Sequence, residues 1–185
     1  MVDHRPPLRI VGVLGGMGPA ATVDFYDKLV THTPATTDAE HLQVLIWSDP
    51  TVPHRQDALL RDGEDPTPWV RRGLERLVRA GAEILVIPCN TVHDFLADAI
   101  PEGAEFISIL DVTVAALRWR GSGEFVGVLA TDGAVASNLF QGELAQSGFT
   151  PVLPDTEQQP TLTEIIEAVK ANGTRGASAV RLQRS

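Results

Sequence analysis

The chain has 185 residues, 43% hydrophobic and 21% charged, which is enough apolar material for a packed core in one domain or two small ones. Its 24 acids outnumber 15 bases for a formal net charge of -9, and this excludes general nucleic-acid binding, which needs a cationic surface. The first ten residues lack an apolar core of signal-peptide length and nowhere do about 18 apolar residues run together, so the reading is a cytoplasmic protein that makes no use of a membrane.

In chain order, Arg9 to Leu14 reads as a buried strand that runs into the turn Gly15-Gly16-Met17-Gly18-Pro19 and then an amphipathic helix from about Ala20 to Val30. Leu42 to Trp47 is a second apolar run, followed by the loop Ser48 to Arg55, whose prolines exclude regular strand pairing and make it a candidate lip. From Pro68 to Ala80 the apolar positions Trp69, Val70, Leu74, Leu77 and Val78 have helical spacing, with Gly81 as a left-handed stop. Ile84 to Ile87 is a short strand ending at Pro88-Cys89-Asn90-Thr91, and a helix is predicted over Val92 to Ala99. The alternation then continues: strand Phe106 to Leu110, helix Val112 to Arg118, strand Phe125 to Ala130, helix Ala136 to Gln146, strand Thr150 to Leu153 and helix Thr161 to Lys170. Strands alternating with helices imply a parallel sheet covered by helices. Asn172 to Ser185 is small, polar and basic and reads as a frayed tail.

The one cysteine of the sequence, Cys89, cannot form an internal disulfide, so it is either a buried small hydrophobe or a working thiol. Its predicted place between a strand end and a helix start favours the second reading, because backbone amides there stabilise a thiolate that can act as a base. The glycine turn is weak evidence for a nucleotide site, since Gly16 and Gly18 are followed by Ala21 and no acidic ribose partner is apparent. Arg55 in the proline-rich loop is suited to clamp a carboxylate. The histidines show no metal-ligand spacing with Cys89 and the acids, and no G-x-S-x-G elbow is present.

Four ordered segments carry a more specific signal: Val13-Leu14-Gly15-Gly16-Met17-Gly18-Pro19, Asp49-Pro50-Thr51-Val52-Pro53-His54-Arg55, Gly63-Glu64-Asp65-Pro66 and Pro88-Cys89-Asn90-Thr91-Val92-His93. Together with Gly127-Val128-Leu129-Ala130-Thr131 and Glu167-Ala168-Val169-Lys170, they make the chain resemble the aspartate/glutamate racemase family from Arg9 to about Gly173, most clearly its aspartate racemases. The resemblance implies an α/β fold of two similar Rossmann-like, flavodoxin-like halves facing a cleft, residues 1–100 carrying Cys89 and residues 101–185 forming the second. It implies amino-acid inversion by cysteine acid/base chemistry on a small acidic amino acid such as aspartate, without pyridoxal phosphate, other cofactor or metal, in a homodimer. Each of two cysteines would serve one face of the substrate, because the acid for one enantiomer is the base for the other. By match to the motifs, Cys89 is the catalytic thiol of the first half, and Asn90 and Thr91 bind the α-carboxylate region. Arg55 binds the side-chain carboxylate, Lys170 contacts substrate, and Met17 and Thr131 line the cleft.

The sequence departs from the family pattern in its later part. The family's second cysteine lies in a Gly-Cys-Thr-Glu strand, but no cysteine follows Cys89 and the sequence stops a strand or two before the family's usual end, so the second half is expected to be incomplete. Thr131-Asp132-Gly133-Ala134 replaces a more hydroxyl-rich turn, and His54 stands where the family often has an acid. The alternatives these departures leave are a non-catalytic relative that binds a carboxylate ligand or partner through Asn90, Thr91 and Arg55, and a one-cysteine lyase or isomerase on another small dicarboxylate.

Overall fold

The computed structural model describes residues 9–121 and 123–172. At its centre lies β1 (Val11–Gly15), every residue of which is buried, as expected of a strand covered on both faces of a parallel sheet. β1 pairs in parallel with β2 (Val44–Ser48) on one side and β3 (Ile84–Val86) on the other, and β3 pairs in parallel with β4 (Glu105–Phe106). The order β2-β1-β3-β4 places the reversal of strand order between β1 and β3. In open α/β sheets that reversal opens a crevice at the carboxyl ends of the strands, where ligands bind.

Three helices belong to this sheet: α1 (Pro19–His32), the short α2 (Arg55–Leu60) and α3 (Thr67–Arg79). The amphipathic α3 buries Val70, Gly73, Leu74 and Leu77 against the sheet. A Cβ at Gly73 would stand 2.6 Å from Leu14 Cδ1, so the glycine makes room on the helix for the Leu14 side chain. Leu14, Leu74 and Leu85 are fully buried in one cluster that also holds Met17, Val52, Val70, Ile87, Val92 and Leu96, with Cys89 packed against it.

The later part carries α4 (Ile109–Trp119), β5 (Phe125–Gly127), α5 (Asp132–Ala136), α6 (Leu139–Gln146), β6 (Thr150–Val152) and α7 (Gln159–Asn172). β5 and β6 form a separate two-stranded parallel sheet over a second cluster of Val114, Val128, Ala130, Ala134 and Leu144. Trp119, Phe125 and Leu129 are 70% or more exposed around it.

The α/β class and parallel pairing read from the sequence are those of the structure. Three elements differ. Val92 to Ala99 is no α-helix: Thr91–Phe95 is a 3-10 helix followed by turns. The His93 backbone N–H donates to Asn90 O at 3.1 Å, the i→i+3 bond of a 3-10 turn, and its ring Nδ1 lies 2.9 Å from the Cys89 carbonyl and 3.2 Å from that of Asn90. The strand predicted over Phe106 to Leu110 ends at Phe106, since the Ser108 hydroxyl accepts the Leu110 N–H at 3.1 Å and starts α4 at Ile109. The helix predicted over Ala136 to Gln146 is split into α5 and α6 by Asn138, at φ 61° in the left-handed region. The tail reading of Asn172 to Ser185 lies outside the described residues beyond Asn172.

Candidate functional site

Register brings the glycine turn and the cysteine together. Val13 pairs with Val86, so Gly16 and Cys89, each three residues further along, leave the carboxyl edge of adjacent strands. Gly16 is at φ +93°, and a Cβ there would lie 2.4 Å from the backbone N and C of Asp49. The turn and the lip loop are therefore in backbone contact, helped by the Asp49 N–H donating to Gly15 O at 3.1 Å. Thr22 secures the turn by accepting the Gly16 N–H at 3.0 Å. Within the lip, the Thr51 hydroxyl and N–H both donate to Asp49 Oδ1 at 2.6 and 2.9 Å. The hydroxyl contact is the main reason that the Asp49 carboxyl sits below its ordinary 3.8.

Arg55 lies at the first residue of α2, not within the loop. Its Nη1 donates to Val52 O at 3.2 Å and Pro53 O at 3.0 Å, and its Nη2 donates to Met17 O at 3.1 Å. These bonds tie the lip to the residue after the glycine turn. The Nε–H is buried and has no partner among the described residues. Met17 itself is buried in the main cluster. Lys170, near the end of α7, lays its stem over Gly18, with Cγ 4.0 Å from where a Cβ would stand, and its ammonium pairs with Glu167 at 3.0 Å.

Cys89 is half-buried, and its N–H donates to Ile87 O at 2.8 Å in the tight turn after β3. The helix predicted next to it, with its converging free amides, is replaced by the 3-10 turn. Asn90 is exposed at the head of that turn and Thr91 is buried behind it. Thr131, which precedes α5, is buried, and its hydroxyl has no partner among the described residues.

Sequence reasoning missed two groups. His93 is one: carbonyls only accept, so its Nδ1 carries the hydrogen, and Nε2 is left buried without a partner while the ring packs 5.9 Å from Phe106. Burial pushes its pKa below the ordinary 6.5, against the weaker opposing pull of the Cys89 and Asn90 carbonyls, Asp94 and Asp111. Burial likewise raises Asp94 above 3.8. Gln56 is the other. Its Oε1 accepts the Gly133 N–H at 3.3 Å and its Nε2 donates to Glu167 Oε1 at 3.1 Å, tying α2 to α5 and α7. Nothing local marks Gln56, because its partners are 77 and 111 residues away.

α2 also packs against α5 and the Thr91–Phe95 turn, so the lip, the cysteine turn and the later elements are in contact. The described residues contain no group of three or more His, Cys, Asp or Glu side chains placed to hold a metal ion. No described helix is long and apolar enough to cross a membrane.

The Cys89 turn and the glycine turn, which Arg55 and Lys170 both contact, leave the sheet at its switch point, the topological position at which open α/β sheets bind small molecules. The sequence matches the Asp/Glu/hydantoin racemase family over residues 14–184, and the chain belongs to that family. It is similar to the aspartate racemase of Picrophilus torridus, with 31% identity, a TM-score of 0.83, and coverage of 93% of this chain and 72% of that one. It is also similar to the broad specificity amino-acid racemase RacX of Bacillus subtilis (strain 168), 25% identical over 87% of this chain and 71% of that protein. An aspartate racemase homologue from Pyrococcus horikoshii OT3 shares the fold at 21% identity and a TM-score of 0.68, over 86% of this chain and 70% of that one. A racemase-type function is the activity class that this membership supports.

Proposed function

We propose that the chain moves the α-proton of aspartate or a similar acidic amino acid by cysteine acid/base chemistry, without a cofactor. The observation that carries this reading is the pair of buried, unpartnered polar atoms on two residues nominated for substrate contact, Arg55 Nε and Thr131 Oγ1. Buried polar groups are normally satisfied, and a carboxylate and an ammonium or hydroxyl are the groups that would satisfy these. In this reading Met17, Asn90 and Thr91 contact the substrate, and Lys170, whose stem lies over Gly18, supplies a second cation.

In the step proposed, the Cys89 thiolate takes the α-proton: the C–H bond breaks, an S–H bond forms, and the electron pair spreads into the α-carboxylate. Arg55 and Lys170 offset the negative charge that the substrate brings into a partly desolvated crevice. Return of the proton by Cys89 restores the starting enantiomer, and inversion needs a donor on the opposite face. Within residues 1–185 Cys89 is the single cysteine.

We read residues 1–100 and 101–185 as the two halves; the two hydrophobic clusters favour two halves, although Ala104 and Phe106 pack on the first. The homodimer rests on the family resemblance, and the cytoplasmic location on the reading of the sequence; sedimentation and cell fractionation test them. The unpartnered Arg55 Nε–H and Thr131 hydroxyl equally suit a second reading, binding of a carboxylate ligand without turnover. Chiral chromatography of aspartate incubated with the protein separates the readings. Interconversion of the enantiomers supports the first, whereas calorimetric binding with neither interconversion nor α-deuterium incorporation in heavy water supports the second.

A further inference from the structure

Of the two cations assigned above to an acidic substrate, Lys170 is already facing an anion. Its ammonium lies 3.0 Å from Glu167 Oε1, one turn back on α7. Glu167 is not a freely swinging surface acid: the same oxygen accepts the Gln56 amide N–H at 3.1 Å. Gln56 is itself fixed by the Gly133 N–H, which binds its Oε1 at 3.3 Å. The orientation of the Gln56 amide is unambiguous, because a backbone N–H only donates and a carboxylate only accepts. The other cation, Arg55, directs Nη1 and Nη2 to three backbone carbonyls. Its Nε–H is buried and has no partner among the described residues.

The charge balance then becomes specific. With Lys170 partly neutralised, Arg55 matches one carboxylate. A second carboxylate on the substrate meets Lys170 and Glu167 together, a pair with little net charge. We propose that Glu167 is a specificity-determining residue, which weakens the site's preference for a dicarboxylic amino acid over its side-chain amide and so admits small amino acids with uncharged polar side chains. Gln56 is the positioning residue that keeps Glu167 at this post. The proposal rests on the reading of Lys170 and Arg55 as substrate contacts.

The test is calorimetric binding of L-aspartate and L-asparagine to the full chain, to Glu167→Gln and to Glu167→Gln in a Lys170→Met background. Glu167→Gln keeps an acceptor for Gln56 and removes the charge. The Glu167–Lys170 pair is more than a third exposed, so the expected change is a few-fold: the aspartate-to-asparagine affinity ratio rises about three- to fivefold in Glu167→Gln. That gain shrinks when Lys170 is replaced. An unchanged or lowered ratio overturns the proposal. Failure of all three proteins to bind either amino acid overturns it together with the amino-acid reading of the crevice. Binding without α-proton exchange removes only the catalytic reading and leaves the ratio as the test of Glu167.

Discussion

His93 Nδ1 lies 2.9 Å from the carbonyl oxygen of Cys89, so the side chain four residues on from the thiol holds the backbone that carries it. The bond fixes the neutral tautomer with hydrogen on Nδ1. An asparagine amide nitrogen occupies nearly the position of a histidine Nδ1, whereas a glutamine amide nitrogen occupies that of Nε2. His93→Asn is therefore expected to keep most of the Cys89-dependent activity, and His93→Gln and His93→Leu to lose it. Leaving the two carbonyls without their donor should also cost His93→Leu about 1–3 kcal/mol. Parallel urea melts and exchange assays check both effects; equal activity in the Asn and Gln variants would contradict this role.

The depressed pKa of His93 gives stability a sign in pH. Below 6.5 the unfolded chain takes up a proton that the folded chain resists, so this contribution is full above 6.5 and is lost as pH falls through the folded value. Asp94 acts in the opposite sense: its raised pKa means that its folded form holds a proton longer, so its contribution is present below 3.8 and is lost as pH rises through the folded value. Urea unfolding from pH 7.5 to 5 should show a loss in the wild type that His93→Asn reduces. An identical slope in both proteins would contradict the buried neutral imidazole.

Gly16 bears a positive φ and backbone contact with Asp49 at once. Gly16→Ala is expected to destabilise the fold by at least about 2 kcal/mol, because both the conformation and the space exclude a Cβ. For a chain of this size that is a fall in Tm of about 4–8 °C, readable by calorimetry. A variant within about 1 °C of wild type would mean that the lip moves freely away from the turn.

Gln56 joins α2 to α5 and α7 through two hydrogen bonds. Gln56→Ala should speed amide hydrogen exchange at Gly133 and along α7 while leaving β1 and α3 unchanged, since the core of the first sheet does not depend on it. Uniform acceleration across the chain would instead indicate global destabilisation.

The first sheet was legible because its strands are short apolar runs with glycine or proline stops, and the order of Gly15–Gly18 and Cys89 followed from alternation alone. The failures have local causes. The 3-10 turn after Cys89 is closed by an i→i+3 bond from the His93 N–H to Asn90 O, and the break at Asn138 depends on one left-handed residue. Neither changes hydrophobic periodicity. Arg55 was visible as a candidate cation, yet its three bonds to backbone carbonyls were not, because they depend on how the lip folds back onto Met17. Glu167 and Gln56 stayed hidden because side-chain contacts across the crevice leave no trace in sequence spacing.

The central claim is that Cys89 removes an amino-acid α-proton. The direct measurement is deuterium incorporation at the α-carbon of L- and D-aspartate in heavy water, followed by proton NMR, for the wild type and Cys89→Ala. The account predicts incorporation from at least one enantiomer, lowered about 10²–10⁴-fold in the variant, as for removal of an acid/base group. Incorporation that is equal in the two proteins, or absent from both, would contradict it.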